Sequence, residues 1–295
     1  MRIAQISDFH ITRMTWNPLR LVSKRLLGVL NFLFTRKGNF SEELLKPLPA
    51  LFSELKVDLI LLGGDFTTTS LHEEFRAAAG FVKRFKEPWI AIPGNHDVYT
   101  FASSFRKDFY RYFANKKKTI SHPIDLFTLK SQGVEAHKIG PNWWTVALDT
   151  CRATNPYSSQ GHLPPKQLRY LEEVLNLIPE ADSILLFNHY PFFQNDAERR
   201  NLQGGPELEA LLKKEPRIRL YLHGHTHRYT IADLQPSALP LILDSGSAAQ
   251  RKQASWNLLD ITDTDCTVTP YHYSEGWKSL PSQHILWSKR ERSLV

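Results

Sequence analysis

Five short polar clusters, each placed directly after an apolar run, constrain this chain more than any other feature of its sequence. In chain order the clusters are Asp8-Phe9-His10, Gly64-Asp65, Gly94-Asn95-His96-Asp97, Asn188-His189 and Gly224-His225-Thr226-His227. The apolar runs include residues 3–6, 58–62, 89–92 and 183–187, and their Ile and Leu content is typical of central strands covered on both faces. Because a covered strand cannot hold an unpaired Asp or His in its middle, we expect each cluster at the carboxyl end of a strand.

The clusters share a donor set of imidazole, carboxylate and amide groups, with no thiolate. Such a set suits Mn²⁺, Fe or Zn²⁺ better than it suits a structural zinc site built from cysteines. Two divalent cations about 3.5–4 Å apart activate water and neutralise phosphoryl charge in many hydrolases. The sequence therefore predicts two divalent metal ions, with Mn²⁺ as the first choice, and hydrolysis of phosphate esters or anhydrides.

The order of these clusters resembles the calcineurin-like metallophosphoesterase superfamily, whose pattern is D-x-H, G-D, G-N-H-[DE], a lone H and G-H-x-H. Any one block is weak on its own, but all five occur here in order, and the resemblance covers roughly residues 1 to 275. It implies an α/β fold in which two mixed β-sheets pack face to face between flanking helices, an α/β/β/α arrangement. It also implies a metallophosphoesterase domain over residues 1–275, followed by a C-terminal extension over residues 276–295.

The same resemblance implies a role for each polar residue. The first metal would be held by Asp8, His10, Asp65 and His227, and the second by Asp65, Asn95, His189 and His225. Asp65 would then bridge the metals, and His96 would face the substrate to stabilise developing charge or protonate the leaving oxygen, with Asp97 as a partner that orients it. Asp65 and His96 are thus the predicted catalytic residues. The alternative, that these histidines are ordinary structural residues, is disfavoured by the ordered set of blocks.

The remainder of the chain reads as one large domain, because no Gly/Ser-rich linker or repeat divides its 295 residues. Helices are predicted over residues 41–55, 71–86, 101–113, 165–177 and 206–214. Further strands are predicted over residues 143–148, 219–222, 241–244, 255–261 and 266–273.

The stretch between His10 and Asp65 is nearly twice as long as is usual in the superfamily, which indicates an insertion beside the predicted metal site. Residues 16–40 of this insertion are both apolar and basic, and their candidate membrane or acyl-chain contacts are Leu26, Leu27, Leu30, Phe32, Leu33 and Phe34. This apolar core is much shorter than the ~20 residues that span a bilayer. We predict a helix that lies in the headgroup region of a membrane or covers an acyl chain; the alternative is a core helix of an enlarged domain.

The charge balance of +7 agrees with an anionic partner, but it does not choose between a phospholipid surface, a nucleotide and a nucleic acid. Two cysteines, Cys151 and Cys266, make no disulfide framework, and no signal peptide precedes the first strand. We therefore expect a cytoplasmic protein on the inner face of the cytoplasmic membrane, in peripheral contact with anionic lipid and without an obligate protein partner.

The predicted substrate class depends on features around the metal motifs. Gly64-Asp65 continues as Phe66-Thr67-Thr68-Thr69, which lacks the G-D-x-V-D-R-G continuation of protein serine/threonine phosphatases and argues against that class. The segments Leu148-Asp149-Thr150 and Gly161-His162-Leu163, the latter followed by Gln167-Leu168 and Leu171-Glu172, resemble the bacterial phosphodiesterase branch of the superfamily.

Within that branch, a chain with such an insertion resembles the UDP-2,3-diacylglucosamine pyrophosphatases of lipid A synthesis, in their chlamydial type. The resemblance implies a lipid-linked nucleotide-sugar substrate that is split into UMP and 2,3-diacylglucosamine 1-phosphate. Two acyl chains would need an apolar surface at the catalytic mouth, which the insertion supplies. Arg152, Arg199 and Arg200 follow two predicted strand ends and are candidate contacts to the diphosphate or sugar; surface salt bridges are the alternative for them.

Two other functions stay open. Another bacterial metal-dependent phosphodiesterase, with a nucleotide or nucleic-acid substrate, would use the same metal site. Nucleic acid is the less favoured partner, because residues 26–34 would have no role in binding it, and such binding would weaken steeply with salt. A non-enzymatic scaffold should have lost metal ligands, whereas every ligand position here holds a suitable residue.

Overall fold

Fifteen strands and six α-helices make up the computed structural model, which describes residues 1–15, 25, 39–115, 121–194 and 197–288. The strands are β1 (Arg2–Ile6), β2 (Leu59–Leu62), β3 (Trp89–Ala91), β4 (Val134–Gly140), β5 (Trp143–Leu148), β6 (Gly161–His162), β7 (Ser183–Phe187), β8 (Leu202–Gln203), β9 (Ile218–His223), β10 (Tyr229–Asp233), β11 (Leu241–Ser245), β12 (Ser255–Ile261), β13 (Asp265–Tyr273), β14 (Trp277–Ser279) and β15 (Gln283–Leu286). The helices are α1 (Leu48–Glu54), α2 (His72–Val82), α3 (Phe101–Arg106), α4 (Leu129–Gln132), α5 (Pro165–Leu177) and α6 (Gly205–Lys214).

The strands form two large mixed sheets. The first has the order β14-β13-β12-β1-β2-β3, with β15 also paired to β13, and the second has the order β10-β11-β9-β7-β5-β4. In the first sheet β1, β2 and β3 are parallel, and in the second sheet β5, β7, β9 and β11 are parallel. Parallel pairing brings the carboxyl ends of these strands to the same edge of each sheet.

Three apolar cores hold the layers together. Side chains from both sheets, including Leu61 of β2 and Leu222 of β9, form the central core between the sheets. Helices α1 and α2 cover the outer face of the first sheet through Phe52 and Phe75, among others. Helices α5 and α6 cover the second sheet in the same way, through residues such as Leu171. The predicted α/β/β/α arrangement is therefore confirmed.

Two of the predicted helices are not continuous in the structure, and their prediction as single helices is wrong. Residues 41–55 form a 3₁₀ turn followed by α1, because Pro47, at the N-cap of α1, has no amide hydrogen to continue a helix. Residues 101–113 are divided at Lys107, which has a left-handed φ of 52° and ends α3 before a second 3₁₀ turn. In one continuous helix Phe105 and Phe109 would share a face, yet Phe105 is 90% exposed and Phe109 is 1% exposed. The break turns Phe109 into the core.

Several strands were not expected, notably β4, β10, β14 and β15. Strands β14 and β15 pair with β13 and so join the first sheet, although they lie in the predicted C-terminal extension. The domain boundary at residue 275 stays a prediction.

Most of the predicted insertion lies outside the described residues, including Leu26, Leu27, Leu30, Phe32, Leu33 and Phe34. Arg25, Asn39 and Phe40 are the parts of residues 16–40 that the structure describes. Among the described helices, none combines the length and the apolar character required to cross a bilayer.

Candidate active site

The five polar clusters meet where the carboxyl ends of the parallel strands converge. Asp8 and Asp65 follow β1 and β2, and the two loops are joined by backbone hydrogen bonds from Asp8 N to Gly64 O (3.0 Å) and from His10 N to Asp65 O (2.9 Å). In the second sheet, Gly224 N donates to His189 O at 3.1 Å. The site is therefore built from loops of both sheets.

The backbone of these loops is unusual at five non-glycine residues. Positive φ angles of 47° to 69° occur at Asp8, His10, Asp65, His225 and His227. The left-handed region costs a non-glycine residue on the order of 1–2 kcal/mol, and such conformations persist where the surrounding structure imposes them, often at functional sites. Every one of these residues is a predicted metal ligand.

Four side chains form a first ligand cluster, in which one ligand atom from each lies within 4.8 Å of the others: Asp8, His10, Asp65 and His227. His227 Nε2 lies 3.1 Å from Asp8 Oδ1 and 3.0 Å from His10 Nε2. Burial opposes ionisation of Asp8, but the neighbouring His227 and His10 hold the pKa of its carboxyl well below the ordinary value. The cluster therefore presents an ionised carboxylate among imidazole nitrogens.

A second ligand cluster shares Asp65 with the first. His189 Nε2 lies 3.6 Å from Asp65 Oδ2 and 3.3 Å from Asn95 Oδ1, and His225 Nδ1 lies 2.9 Å from the same Asn95 oxygen. Asp65 Oδ2 also lies 3.7 Å from His10 Nε2 in the first cluster. One carboxylate oxygen thus stands between the two clusters, which is the position of a bridging ligand.

Backbone carbonyls fix which nitrogen of each histidine faces the second cluster. His189 Nδ1 lies 2.7 Å from Gly63 O, and His225 Nε2 lies 3.0 Å from Arg200 O. Because a carbonyl only accepts, these nitrogens carry the proton, and the opposite nitrogens offer lone pairs. Desolvation lowers the pKa of both imidazoles, which favours the neutral form that metals bind. The donor atoms therefore fit a pair of divalent metal ions.

The family model described as calcineurin-like phosphoesterase matches residues 1–229. The chain belongs to this family. It is 28% identical over 236 residues to the probable glycerophosphodiester phosphodiesterase of Arcobacter nitrofigilis, covering 77% of this chain and 72% of that protein. It is 26% identical over 228 residues to the 3',5'-cyclic adenosine monophosphate phosphodiesterase of Escherichia coli, covering 76% and 69% respectively.

Among solved structures, this metallophosphoesterase is similar to a dimetal phosphatase from Danio rerio, with a TM-score of 0.68 and 13% sequence identity over 97% of this chain and 99% of that chain. A likeness at this identity shows the shared fold. Together with the family match, it identifies the protein as a metal-dependent phosphoesterase with the fold expected from its motifs.

Within this metallophosphoesterase, His96 is oriented by a residue that its sequence motif does not contain. His96 Nδ1 lies 2.7 Å from Thr68 O, and the ring stacks on Tyr99 with centroids 5.4 Å apart. The expected orienting partner, Asp97, instead accepts hydrogen bonds from the backbone N–H groups of Gly94 (2.9 Å), Phe66 and Thr67. Asp97 therefore ties two ligand loops together, and the Thr68 carbonyl makes Nε2 the nitrogen that can exchange a proton with a substrate.

The glycine of the third cluster is required by the close approach of these loops. A Cβ atom on Gly94 would lie 2.1 Å from Asp65 Oδ1 and 2.2 Å from Asp65 N, far inside contact distance. Asp65 Oδ1 also accepts from His96 N at 2.8 Å. Any larger residue at position 94 would displace the carboxylate that lies between the clusters.

The predicted substrate arginines lie on the side of the second cluster. One guanidinium nitrogen of Arg152 donates to Gln160 Oε1 (3.0 Å) and Gln203 Oε1 (2.7 Å), and in the described part of the chain no carboxylate lies within salt-bridge distance of it. Arg199 and Arg200 lie in a 3₁₀ turn whose Arg200 carbonyl contacts His225. Arg152 is therefore oriented by neutral partners that leave its charge uncompensated.

Sequence reasoning missed two contacts that the insertion makes with the site. The ring of Phe40 lies 4.6 Å from that of His10 and 5.6 Å from that of His227. The Arg25 guanidinium donates to the carbonyls of Thr69 and Ser70, both at 3.0 Å. No motif marks either residue, and the unusual length of the insertion was the only available signal that it reaches the metal ligands.

Proposed function

We propose that this metallophosphoesterase hydrolyses a phosphodiester bond in a small organic molecule, with a cyclic nucleotide or a glycerophosphodiester as the substrate class. The observation that carries the proposal is the single oxygen, Asp65 Oδ2, placed between His10 Nε2 and His189 Nε2 at 3.7 and 3.6 Å. The names of the relatives from Arcobacter nitrofigilis and Escherichia coli support this substrate class.

In this proposal two divalent metal ions occupy the ligand clusters. Asp8, His10, Asp65 and His227 hold the first ion, and Asp65, Asn95, His189 and His225 hold the second. The mixed nitrogen and oxygen donors favour Mn²⁺, with Fe or Zn²⁺ as alternatives. When bound, such a pair supplies an activated water and neutralises charge on the phosphoryl group.

The side chains around the clusters perform the remaining steps. With Nδ1–H donating to Thr68 O, His96 acts as the imidazolium, whose Nε2–H donates its proton to the leaving oxygen or a hydrogen bond to a charged phosphoryl oxygen. Arg152, held between two amide oxygens, binds the phosphate or its neighbouring group, and Arg199 and Arg200 extend the same basic side of the site.

The experiment that tests this function is an assay of the Mn²⁺-loaded protein on 3',5'-cyclic AMP, glycerophosphoethanolamine and bis(p-nitrophenyl) phosphate. Asp65→Ala should lose both hydrolysis and metal, whereas His284→Ala, a change to a histidine on β15, should retain both. If the wild type binds two metal ions per chain but hydrolyses none of these diesters, the proposed substrate class is rejected.

A second candidate function is hydrolysis of UDP-2,3-diacylglucosamine to UMP and 2,3-diacylglucosamine 1-phosphate. The specific observation that favours it is the reach of the insertion: Phe40 packs on His10, and Arg25 binds the loop that orients His96. An insertion with an apolar sequence, whose last residue Phe40 contacts His10, suits a substrate with two acyl chains. This candidate includes peripheral contact with anionic lipid on the inner face of the cytoplasmic membrane.

Mass spectrometry of the products formed from UDP-2,3-diacylglucosamine distinguishes the two candidates. Release of UMP by the wild type and not by Asp65→Ala would establish the lipid-linked substrate. A variant with serine at Leu26, Leu27, Leu30 and Leu33 should then keep its activity on bis(p-nitrophenyl) phosphate and lose activity on the diacylated substrate. Turnover of cyclic AMP without release of UMP from the lipid would reject the second candidate.

A further inference from the structure

Two phenylalanines on α3 face solvent although most large apolar side chains of the described chain are buried. Phe101 is 71% exposed and Phe105 is 90% exposed. They are four residues apart on one helix and therefore lie on the same face, with the exposed Ala102 beside them. We call Phe101, Ala102 and Phe105 the α3 aromatic face.

The path of the backbone keeps this face outside the core. The left-handed turn at Lys107 separates Phe101 and Phe105 from Phe109 and Phe113, which are each 1% exposed. The chain thus divides four phenylalanines into a buried pair and an exposed pair. Paired exposed aromatic side chains on a soluble domain are typical of a surface that binds a partner.

Basic residues follow the α3 aromatic face directly in the described chain. Arg106, Lys107 and Arg111 come shortly after Phe105, and all three are exposed. The acidic residue among them, Asp108, is 1% exposed and pairs with both arginines, with Arg106 at 2.6 Å and with Arg111 at 3.6 Å. Three cations against one carboxylate leave a net positive charge, and exposed aromatic rings beside such a charge complement a bilayer that carries anionic headgroups, because rings enter the acyl boundary while cations bind the phosphates.

This face also adjoins the catalytic edge. Tyr99, which stacks on His96, directly precedes Thr100, the N-cap of α3. Tyr99 N donates to Ser70 Oγ, and the carbonyl of Ser70 accepts from Arg25 of the insertion. A surface bound at α3 would therefore lie close to His96 and to the loop that Arg25 contacts.

We propose that the α3 aromatic face docks on an anionic phospholipid bilayer. The proposal uses none of residues 26–34 and does not depend on which phosphodiester the site hydrolyses. Phe101 and Phe105 insert at the headgroup boundary, and the cations around them bind lipid phosphates.

The test is co-sedimentation of the full chain with vesicles of phosphatidylcholine alone or mixed with phosphatidylglycerol. The wild type should bind the mixed vesicles only. The double variant Phe101→Ser, Phe105→Ser should bind them about tenfold or more weakly. The matched control is Leu286→Ser, which removes an apolar side chain that is 66% exposed on β15 and should leave binding unchanged. Lys107→Gln with Arg111→Gln should also weaken binding, by a charge effect that added salt mimics.

Activity on bis(p-nitrophenyl) phosphate provides the folding control, since neither phenylalanine contacts a predicted metal ligand in the described structure. Equal binding by the wild type and the double phenylalanine variant would overturn the proposal. So would equal binding of the wild type to vesicles with and without phosphatidylglycerol. Light scattering that shows a wild-type dimer and a monomeric variant would assign the face to a second copy of the chain, which also overturns it.

Discussion

The Nε2 atom of His225 lies 3.0 Å from the carbonyl oxygen of Arg200, a residue in a different loop. This contact sets the tautomer of His225 and so presents Nδ1 to Asn95. The turn that carries Arg199 and Arg200 therefore positions a proposed metal ligand through its backbone, while its two arginines are proposed substrate contacts. In the proposed function, metal binding and substrate binding would thus share one structural element.

The orientation of His96 predicts how its removal should depend on the leaving group. We expect His96→Ala to reduce kcat/KM about 10²- to 10⁴-fold for a diester with an alkoxide leaving group, since this is the usual contribution of general acid catalysis. The reduction should be much smaller for bis(p-nitrophenyl) phosphate, whose leaving group departs without a proton. Steady-state kinetics on both substrates measure this difference, and an equal loss on the two would contradict proton donation by His96.

Phe40 packs against the rings of His10 and His227, and its removal should weaken the first proposed metal site. Phe40→Ala should lower Mn²⁺ affinity about tenfold, because residues that support ligands commonly contribute this much. Calorimetric titration of the metal-free protein with Mn²⁺ would show the change. Phe40→Leu, which keeps an apolar cover, should be intermediate, whereas wild-type affinity in Phe40→Ala would show that the ring does not support the ligands.

Arg152 should contribute to substrate binding more than to turnover. Arg152→Gln should raise KM about tenfold or more, because hydrogen bonds to charged groups contribute roughly 1.5–3 kcal/mol. Arg152→Lys should recover part of the loss, since a lysine keeps the charge without the planar pair of donors. The matched control is Arg76→Gln on α2, where the arginine lies near Glu73. A fall in kcat with an unchanged KM would show that Arg152 acts in the chemical step and not in substrate binding.

Glu74 gives the free energy of unfolding a defined dependence on pH. Its carboxyl is fully buried and accepts from the N–H groups of Thr69 and Leu71, yet burial raises its pKa to about 7. A carboxyl whose pKa is raised on folding stabilises the protein fully below the unfolded value of about 4.3 and loses that contribution as pH rises through the folded value.

Relative to Glu74→Gln, the wild type should therefore lose about 3 kcal/mol of stability between about pH 4 and pH 8. Urea unfolding of both proteins across this range measures the difference. A parallel pH dependence in the wild type and Glu74→Gln would show that Glu74 ionises normally in the fold.

The parts of the fold that follow from local pattern could be predicted from the sequence. Strands β5, β7 and β12 have the predicted bounds, because each is an apolar run that fits a covered position in a sheet. In β4 the apolar residues are separated by Glu135, His137 and Lys138, so it has no apolar run, and it becomes a strand by pairing with β5. The division of residues 101–113 was missed for a related reason, since only the assembled core determines where Phe109 must point.

For the candidate site, residue identities were accessible from the sequence and their orientation was not. The motifs indicate that His189 and His225 belong to one site, but the carbonyls of Gly63 and Arg200 that select their tautomers depend on loop conformation. Phe40 reaches the first cluster through pairing with Gln250, a contact between residues remote in sequence. Such long-range contacts leave no periodic signal.

Because Asp65 Oδ2 lies between the two ligand clusters, assembly of the candidate metal centre depends on both sheets. Asp65 belongs to a loop of the first sheet, while His189 and His225 belong to loops of the second. Neither sheet alone therefore contains all the proposed ligands. A nascent chain cannot gather the ligands until β7 and β9 have been synthesised and docked against β1 and β2. In the proposed two-metal centre, complete ligation of the ions therefore requires that the two sheets have already packed together.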